Sequence, residues 1–256
     1  MASRRCSGLA VAAALVACGG KPPVEPGPKV SAVPLTRVAV EDAEPDDGVQ
    51  VISGKGHVEP RVVEAAIAPH RDAMTACYLS RVGKRRWLGG QLVLRWGVAA
   101  DGAFDQVAIT DNDLGAWPIE QCLLELARGL TFGPPIGGAA EVTLPLAFTP
   151  SGTRGAPARW DEAQSDRAVG VQLAKLDACG KKATAPDDVT ITLYAGPRGK
   201  VESVGFASAM AIDDAWAICA EKAALAWHLP DPKGQVTKLA VRYGRVWTSH
   251  RPKSSS

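Results

Sequence analysis

Apolar side chains fall on alternate positions at Leu92, Leu94, Trp96 and Val98, stop at Asp101-Gly102, and resume at Val107 and Ile109. Alternation broken by an Asp-Gly pair predicts a β-hairpin, because a tight turn between strands needs residues that tolerate positive φ. From Ile119 the period lengthens: Ile119, Cys122, Leu123 and Leu126 recur at i, i+3, i+4 and i+7, one face of a helix ending near Gly129. The same succession returns later. Val189, Ile191 and Leu193 lead into a turn at 196–199, Val204 and Phe206 follow, and Trp216, Cys219, Ala220, Ala223 and Trp227 make the second helical stripe. Gly102 corresponds to Gly199, Val107 to Val204 and Cys122 to Cys219 at a constant offset of 97. The pattern predicts two copies of one module.

The flanking elements complete the module. Residues 60–80 carry Val63, Ile67, His70, Met74, Cys77 and Tyr78 at helical spacing; Pro60 suits a first turn, and Pro69 predicts a kink or break just before His70. Residues 81–90 read as a basic loop with Lys84, Arg85, Arg86 and Trp87. Past Phe132-Gly133-Pro134-Pro135, the alternation Val142, Leu144, Leu146, Phe148 predicts a third strand. A right-handed crossover places it beside the first hairpin strand, giving an antiparallel sheet of order 2-1-3. Pro145 fits a sheet edge, where a missing N–H costs least. In the second copy a helix is expected from about Arg159 through Val169, Leu173 and Leu176 to Cys179, and a third strand at Thr237, Leu239, Val241 and Tyr243. The fold class is therefore α+β: two tandem domains at 49–150 and 159–247, each α-β-β-α-β with a three-stranded antiparallel sheet covered by two helices. Residues 151–158 form a Gly/Pro/Ser-rich joint, and 248–256 a disordered tail.

The amino terminus changes the setting. Residues 1–17 have a basic start at Arg4-Arg5 and an apolar run too short to span a bilayer, which reads as a signal peptide. The end, Leu15-Val16-Ala17-Cys18, resembles a bacterial lipobox, and the resemblance implies cleavage before Cys18 and its lipidation. An ordinary secretory peptide with an incidental Cys18 is the alternative. Residues 18–48 hold Pro22, Pro23, Pro26, Pro28, Pro34 and Pro45 and read as a tether, with a reach of roughly 90 Å if fully polyproline-like. A chain cut before Cys18 loses Arg4 and Arg5 and carries 27 basic residues against 27 acidic ones, a balance that argues against a nucleic-acid partner.

Export makes oxidation available, and four cysteines remain after Cys6 and Cys18: Cys77 and Cys122 in the first copy, Cys179 and Cys219 in the second. Two intradomain disulfides, Cys77–Cys122 and Cys179–Cys219, are the economical pairing. Zinc would want C-x-x-C pairs or a near histidine, and a reactive thiol would want basic neighbours. His57, His70, His228 and His250 are scattered, and no nucleophile elbow, H-E-x-x-H or phosphate loop is present. Asp111-Asn112-Asp113 lacks the ligand ladder of a calcium loop and reads as a loop after the hairpin; Asp213-Asp214 reads as a helix start. No catalytic residue, metal or cofactor is expected.

Ala76-Cys77-Tyr78, Leu88-Gly89-Gly90-Gln91-Leu92-Val93-Leu94-Arg95, Ala100-Asp101-Gly102, Glu120-Gln121-Cys122 and Leu144-Pro145-Leu146-Ala147-Phe148 resemble the AgmX/PglI carboxy-terminal domain, named for adventurous gliding-motility proteins and similar in fold to the TonB carboxy-terminal domain. Residues 159–247 follow it in pattern only, with Gly196-Pro197-Arg198-Gly199 in place of the Asp-Gly turn. The resemblance implies a periplasmic module that grips envelope proteins by adding their strand to a sheet edge, here Val142, Leu144, Leu146 and Phe148. With Cys18 and the tether, the expected role is a lipid-anchored adaptor, outer membrane more than inner, in an envelope-spanning machinery. The alternative is a lipoprotein that binds cell-wall polymer, peptidoglycan among them, through Lys84, Arg85, Arg86 and Trp87.

Overall fold

The computed structural model describes residues 30–32, 56–151, 157–181 and 183–244. The signal peptide, Cys18, most of the tether, most of the joint and the tail lie outside these.

The first unit begins with α1 (Pro60–Ile67), a single 3-10 turn (Ala68–His70) and α2 (Arg71–Val82). The break falls at Pro69, whose missing N–H cannot continue the α-helical ladder. β2 (Gly90–Val98) and β3 (Phe104–Asn112) form the hairpin, with Gly102 at φ 89° in the turn and the Asp101 carboxylate accepting from the Ala103 amide at 2.9 Å. α3 (Trp117–Arg128) follows, then β4 (Ala140–Phe148). β4 runs antiparallel to β2, so the order β4-β2-β3 is the expected 2-1-3 arrangement. Leu92, Leu94, Trp96 and Val98 point into the core with Val142, Leu144, Leu146 and Phe148. Within it Trp96 donates from Nε1 to Ala127 O at 2.9 Å, and Tyr78 stacks on Phe148 while donating to Leu88 O at 2.8 Å.

The second unit repeats this order: α4 (Glu162–Leu173), a 3-10 turn (Ala174–Leu176), α5 (Asp177–Gly180), β6 (Asp188–Ala195), β7 (Val201–Ala207), α6 (Asp214–Leu225) and β8 (Thr237–Gly244). α4 starts at a capping box between Asp161 and Gln164, and Asp213 caps α6 by accepting from Ala215 and Trp216. Both disulfides form within their units, Cys77–Cys122 and Cys179–Cys219, each with Cα atoms 5.7 Å apart.

Two features depart from the sequence reading. Each sheet has a fourth, short strand outside the repeat: β1 (Val30–Ala32), inside the stretch read as tether, lies antiparallel to 146–148 of β4, and β5 (Ala158–Arg159), where a helix was expected to start, lies parallel to Thr237 and Lys238 of β8. The first sheet is thus antiparallel and the second mixed. Segments of two or three residues carry no period, so neither strand could show in the sequence. Asp111 and Asn112, expected in a loop, belong to β3, because the Asn112 side chain is buried in protein contacts.

Candidate functional site

The outer edge of β4 and the seam between the two units decide what the molecule can offer a partner. Val142, Leu144, Leu146 and Phe148 are all buried, so their side chains serve the core rather than a surface. What β4 presents outward is backbone, flanked by exposed Glu141 and Thr143 and the half-buried Pro145 and Ala147. β1 covers this edge at 146–148 only, and among the described residues no strand pairs with 141–145 on that side. Proline 145 sits opposite Val93 of β2. A proline nitrogen is tolerated when turned away from the ladder, so the Thr143 amide, two residues earlier on the strand, turns outward as well.

The other edge strand of each sheet is buried at the seam. β7 lies against β3: the Ser208 amide donates to Ile109 O at 2.8 Å, Asn112 Nδ2 to Phe206 O at 3.2 Å, and the Phe206 amide to Glu120 Oε2 at 2.9 Å. Side chains of α3 and β3 here stand in for a neighbouring strand, satisfying the edge groups of Phe206. Trp117 meets the Phe206 ring edge-on at 5.7 Å between centroids. The polar face of the second sheet packs on the first unit, with Thr192 Oγ1 donating to Asn112 O (2.7 Å), Ser203 Oγ to Gly115 O (2.7 Å) and Tyr194 OH to Gly89 O (2.9 Å). At the rim Arg128 grips Asp214 with two bonds of 2.8 and 2.9 Å. The apolar cores of the two units run together as one cluster.

Lys238 is the cation of the seam. Its side chain is 7% exposed, and its three protons reach Gly89 O (3.0 Å), Asp113 O (2.6 Å) and Asp113 Oδ2 (3.1 Å). Burial lowers its pKa, and Asp113 opposes that shift. A groove of about 340 Å³ opens beside it, lined by Trp87, Phe148, Pro150, Pro157 and Arg159. Since every ammonium proton is already bound to protein, the groove offers an incoming anion no free donor from Lys238. Replacing Lys238 by Ala takes the donor from the Asp113 carbonyl oxygen and leaves the Asp113 carboxylate with Arg159 alone, while Tyr194 still serves Gly89 O; a loss of about 2 kcal/mol is expected, since Asp113 keeps some solvent. Equilibrium urea unfolding measures it.

The basic loop is tied inward. Arg85 donates to Glu202 O at 3.3 Å, Ser203 Oγ at 3.4 Å and Arg81 O at 3.0 Å, and the half-buried Trp87 packs on the Tyr194 ring at 4.7 Å. Lys84 and Arg86 remain exposed. His57 and His228 make isolated backbone bridges to Ile136 and Lys200, and His70 ends the first 3-10 turn. Among the described residues no group of three or more His, Cys, Asp or Glu side chains is placed to hold a metal ion. No helix among them is long and apolar enough to cross a membrane.

Glu120 carries the largest chemical surprise of the site. It is 0% exposed, and burial pushes its carboxyl up to about 7 against the opposing hydrogen bonds of the Asn112 side chain and the Phe206 and Ala116 amides. Sequence reading passed over it as one letter of a motif. A signal was present: Glu120 shares its helix face with Leu123, Leu124 and Ala127, at i+3, i+4 and i+7. No protein-family model, curated protein or solved structure matches the chain.

Proposed function

We propose that the chain is a protein-interaction module of the cell envelope, held by lipid on Cys18, that takes an extended segment of a partner onto the outer edge of β4. The observation that carries this reading is that the third strand of each unit takes a short strand from outside its own repeat, β1 on β4 and β5 on β8, while 141–145 of β4 keeps its outer groups unpaired among the described residues. An edge that accepts one short strand has the twist and access to accept another, with backbone hydrogen bonds supplying the affinity. The repeated α-β-β-α-β order and the placement of Cys77-Tyr78 support reading both units as TonB-carboxy-terminal-like domains of the AgmX/PglI kind, the second as a docked scaffold. The internal bonds of Arg85 and Trp87 count against a cell-wall polymer site on that loop. An adaptor role in an envelope-spanning, gliding-motility-like machinery follows from the anchor and tether.

A photocrosslinking residue at Glu141 tests the edge in cells. The expected result is a defined adduct with an envelope protein that survives Thr143→Ala and disappears with Thr143→Pro, which removes one outward donor while leaving the bonds to β2. An adduct indifferent to Thr143→Pro, or none from a folded chain, overturns strand addition. The anchor is tested separately: Cys18→Ser is expected to release the chain from membranes, and a variant that still fractionates with them overturns it.

A further inference from the structure

β1 lies antiparallel on the outer edge of β4, with Val30 opposite Phe148, Ser31 opposite Ala147 and Ala32 opposite Leu146. The direction of each β4 residue follows from its other neighbour. Gln91 O accepts from the Asp113 amide on the β3 side, so the next residue, Leu92, turns its backbone groups to β4. Leu92 is opposite Leu146, and from there the alternation turns Leu144 and Val142 toward β2, and Ala147, Pro145, Thr143 and Glu141 outward. Of these four outward residues, Ala147 exchanges its N–H and C=O with Ser31, and Pro145 has no N–H to give. Thr143 and Glu141 lie opposite no strand on that side among the described residues. A segment confined to the open stretch therefore finds two full stations and half of a third. The remaining full station is held by the chain itself.

We propose that β1 is a strap laid by the chain over its own binding edge, which a partner segment must displace to pair along the whole of 141–147. The inference rests on the strand-addition reading above and names what stands in the partner's way. β1 is joined to the fold through residues 33–55, after which the Gly56 amide donates to Ala139 O at 2.7 Å. A link of this length keeps the strap near its seat at a local concentration of about a millimolar. Three residues with one hydrogen-bonded pair hold it down, so it exchanges readily with a longer strand. A partner then binds more weakly by the fraction of time the edge stands free. Displacement also changes reach. Val30 stands 12 residues beyond Cys18, about 40 Å at full extension, whereas Gly56 stands 38 residues beyond it, about 130 Å. With lipid on Cys18, capturing a partner along the full edge frees the folded units to work farther from the bilayer, and drawing them away from it frees the edge, because the two are linked.

The test uses the full chain. Ala147 and Thr143 both turn outward, so amide exchange compares a strapped donor with an open one in the same strand. Ala147 is expected to exchange much more slowly than Thr143 in the wild type; the difference disappears in Ser31→Pro, which takes the donor from β1, and persists in Ser31→Ala, which keeps it. An Ala147 amide as fast as that of Thr143 in the wild type overturns the strap. In cells, the adduct from a photocrosslinking residue at Glu141 is expected to rise in Ser31→Pro, by about tenfold at limiting partner for a strap seated nine-tenths of the time, and to stay at the wild-type level in Ser31→Ala. Equal adducts in Ser31→Pro and the wild type overturn the competition. No adduct from any of the three overturns strand addition instead, and exchange at Ala147 then decides the strap alone.

Discussion

Substituting Ala for Gly205 is expected to destabilise the protein by about 3 kcal/mol, the upper range for forcing one methyl into a packed interior. A Cβ there would stand 2.5 Å from Glu120 Cδ and nearer still to Oε1. The carboxyl cannot swing aside without surrendering the Phe206 amide, so either the helix or β7 must move. Glu120→Ala alone is also expected to cost about 3 kcal/mol, because two buried N–H groups lose their acceptor and a cavity opens. Combined, the new methyl has a space to enter, so the double variant should cost little more than Glu120→Ala. The coupling between the sites is then about 3 kcal/mol, measured as a double-mutant cycle in urea. Strict additivity would mean that Gly205 and Glu120 do not share the volume described.

The second large effect concerns the disulfides. Their loops, with separations of 45 and 40 residues, correspond to about 4 kcal/mol each in the chain-entropy view. The structural consequences should differ between units. α2 has twelve residues and buries Met74, Tyr78 and Val82 besides Cys77, so Cys77→Ser with Cys122→Ser leaves a helix with its own packing. α5 has four residues, Asp177–Gly180, with Cys179 its buried member. So short a helix has no stability of its own. Without the sulfur bridge it keeps the bond from Tyr243 OH to Asp177 at 2.7 Å and that from the Ala183 amide to Cys179 O, with the buried Leu176 anchoring the 3-10 turn before it. Cys179→Ser with Cys219→Ser should therefore lower amide protection most across 177–181, beyond the buried Leu176, whereas the first-unit pair keeps protection in α2. Hydrogen exchange with thermal unfolding measures both, and equal loss in the two helices would remove the asymmetry.

What the chain revealed by its spacing is what local periodicity encodes. Trp96 and Val98 on one side of a strand, Pro69 inside a helical run and Gly102 in a turn each act within a few residues, and each element stands where the pattern puts it. The seam escaped for a physical reason. Thr192, Ser203, Gly205 and Lys238 alternate with apolar neighbours just as solvent-facing positions do, yet they are buried against the first unit. A polar residue facing another unit's backbone and one facing water look alike in sequence. The edge strand was legible as β4 from its period-two alternation, which turns the four apolar residues to the core and leaves the backbone as what the edge presents.

Placement of the sulfur bridges also governs how the molecule would answer a pull applied at its two ends. Each bridge short-circuits its own loop, 77–122 and 179–219, so roughly 150 Å and 130 Å of contour stay locked until a reductant acts. Among the described residues no disulfide crosses between the units, whose contact relies on hydrogen bonds, ion pairs and packing. Under load the halves would part before either hairpin ravelled, giving a short first extension that ends at two intact knots.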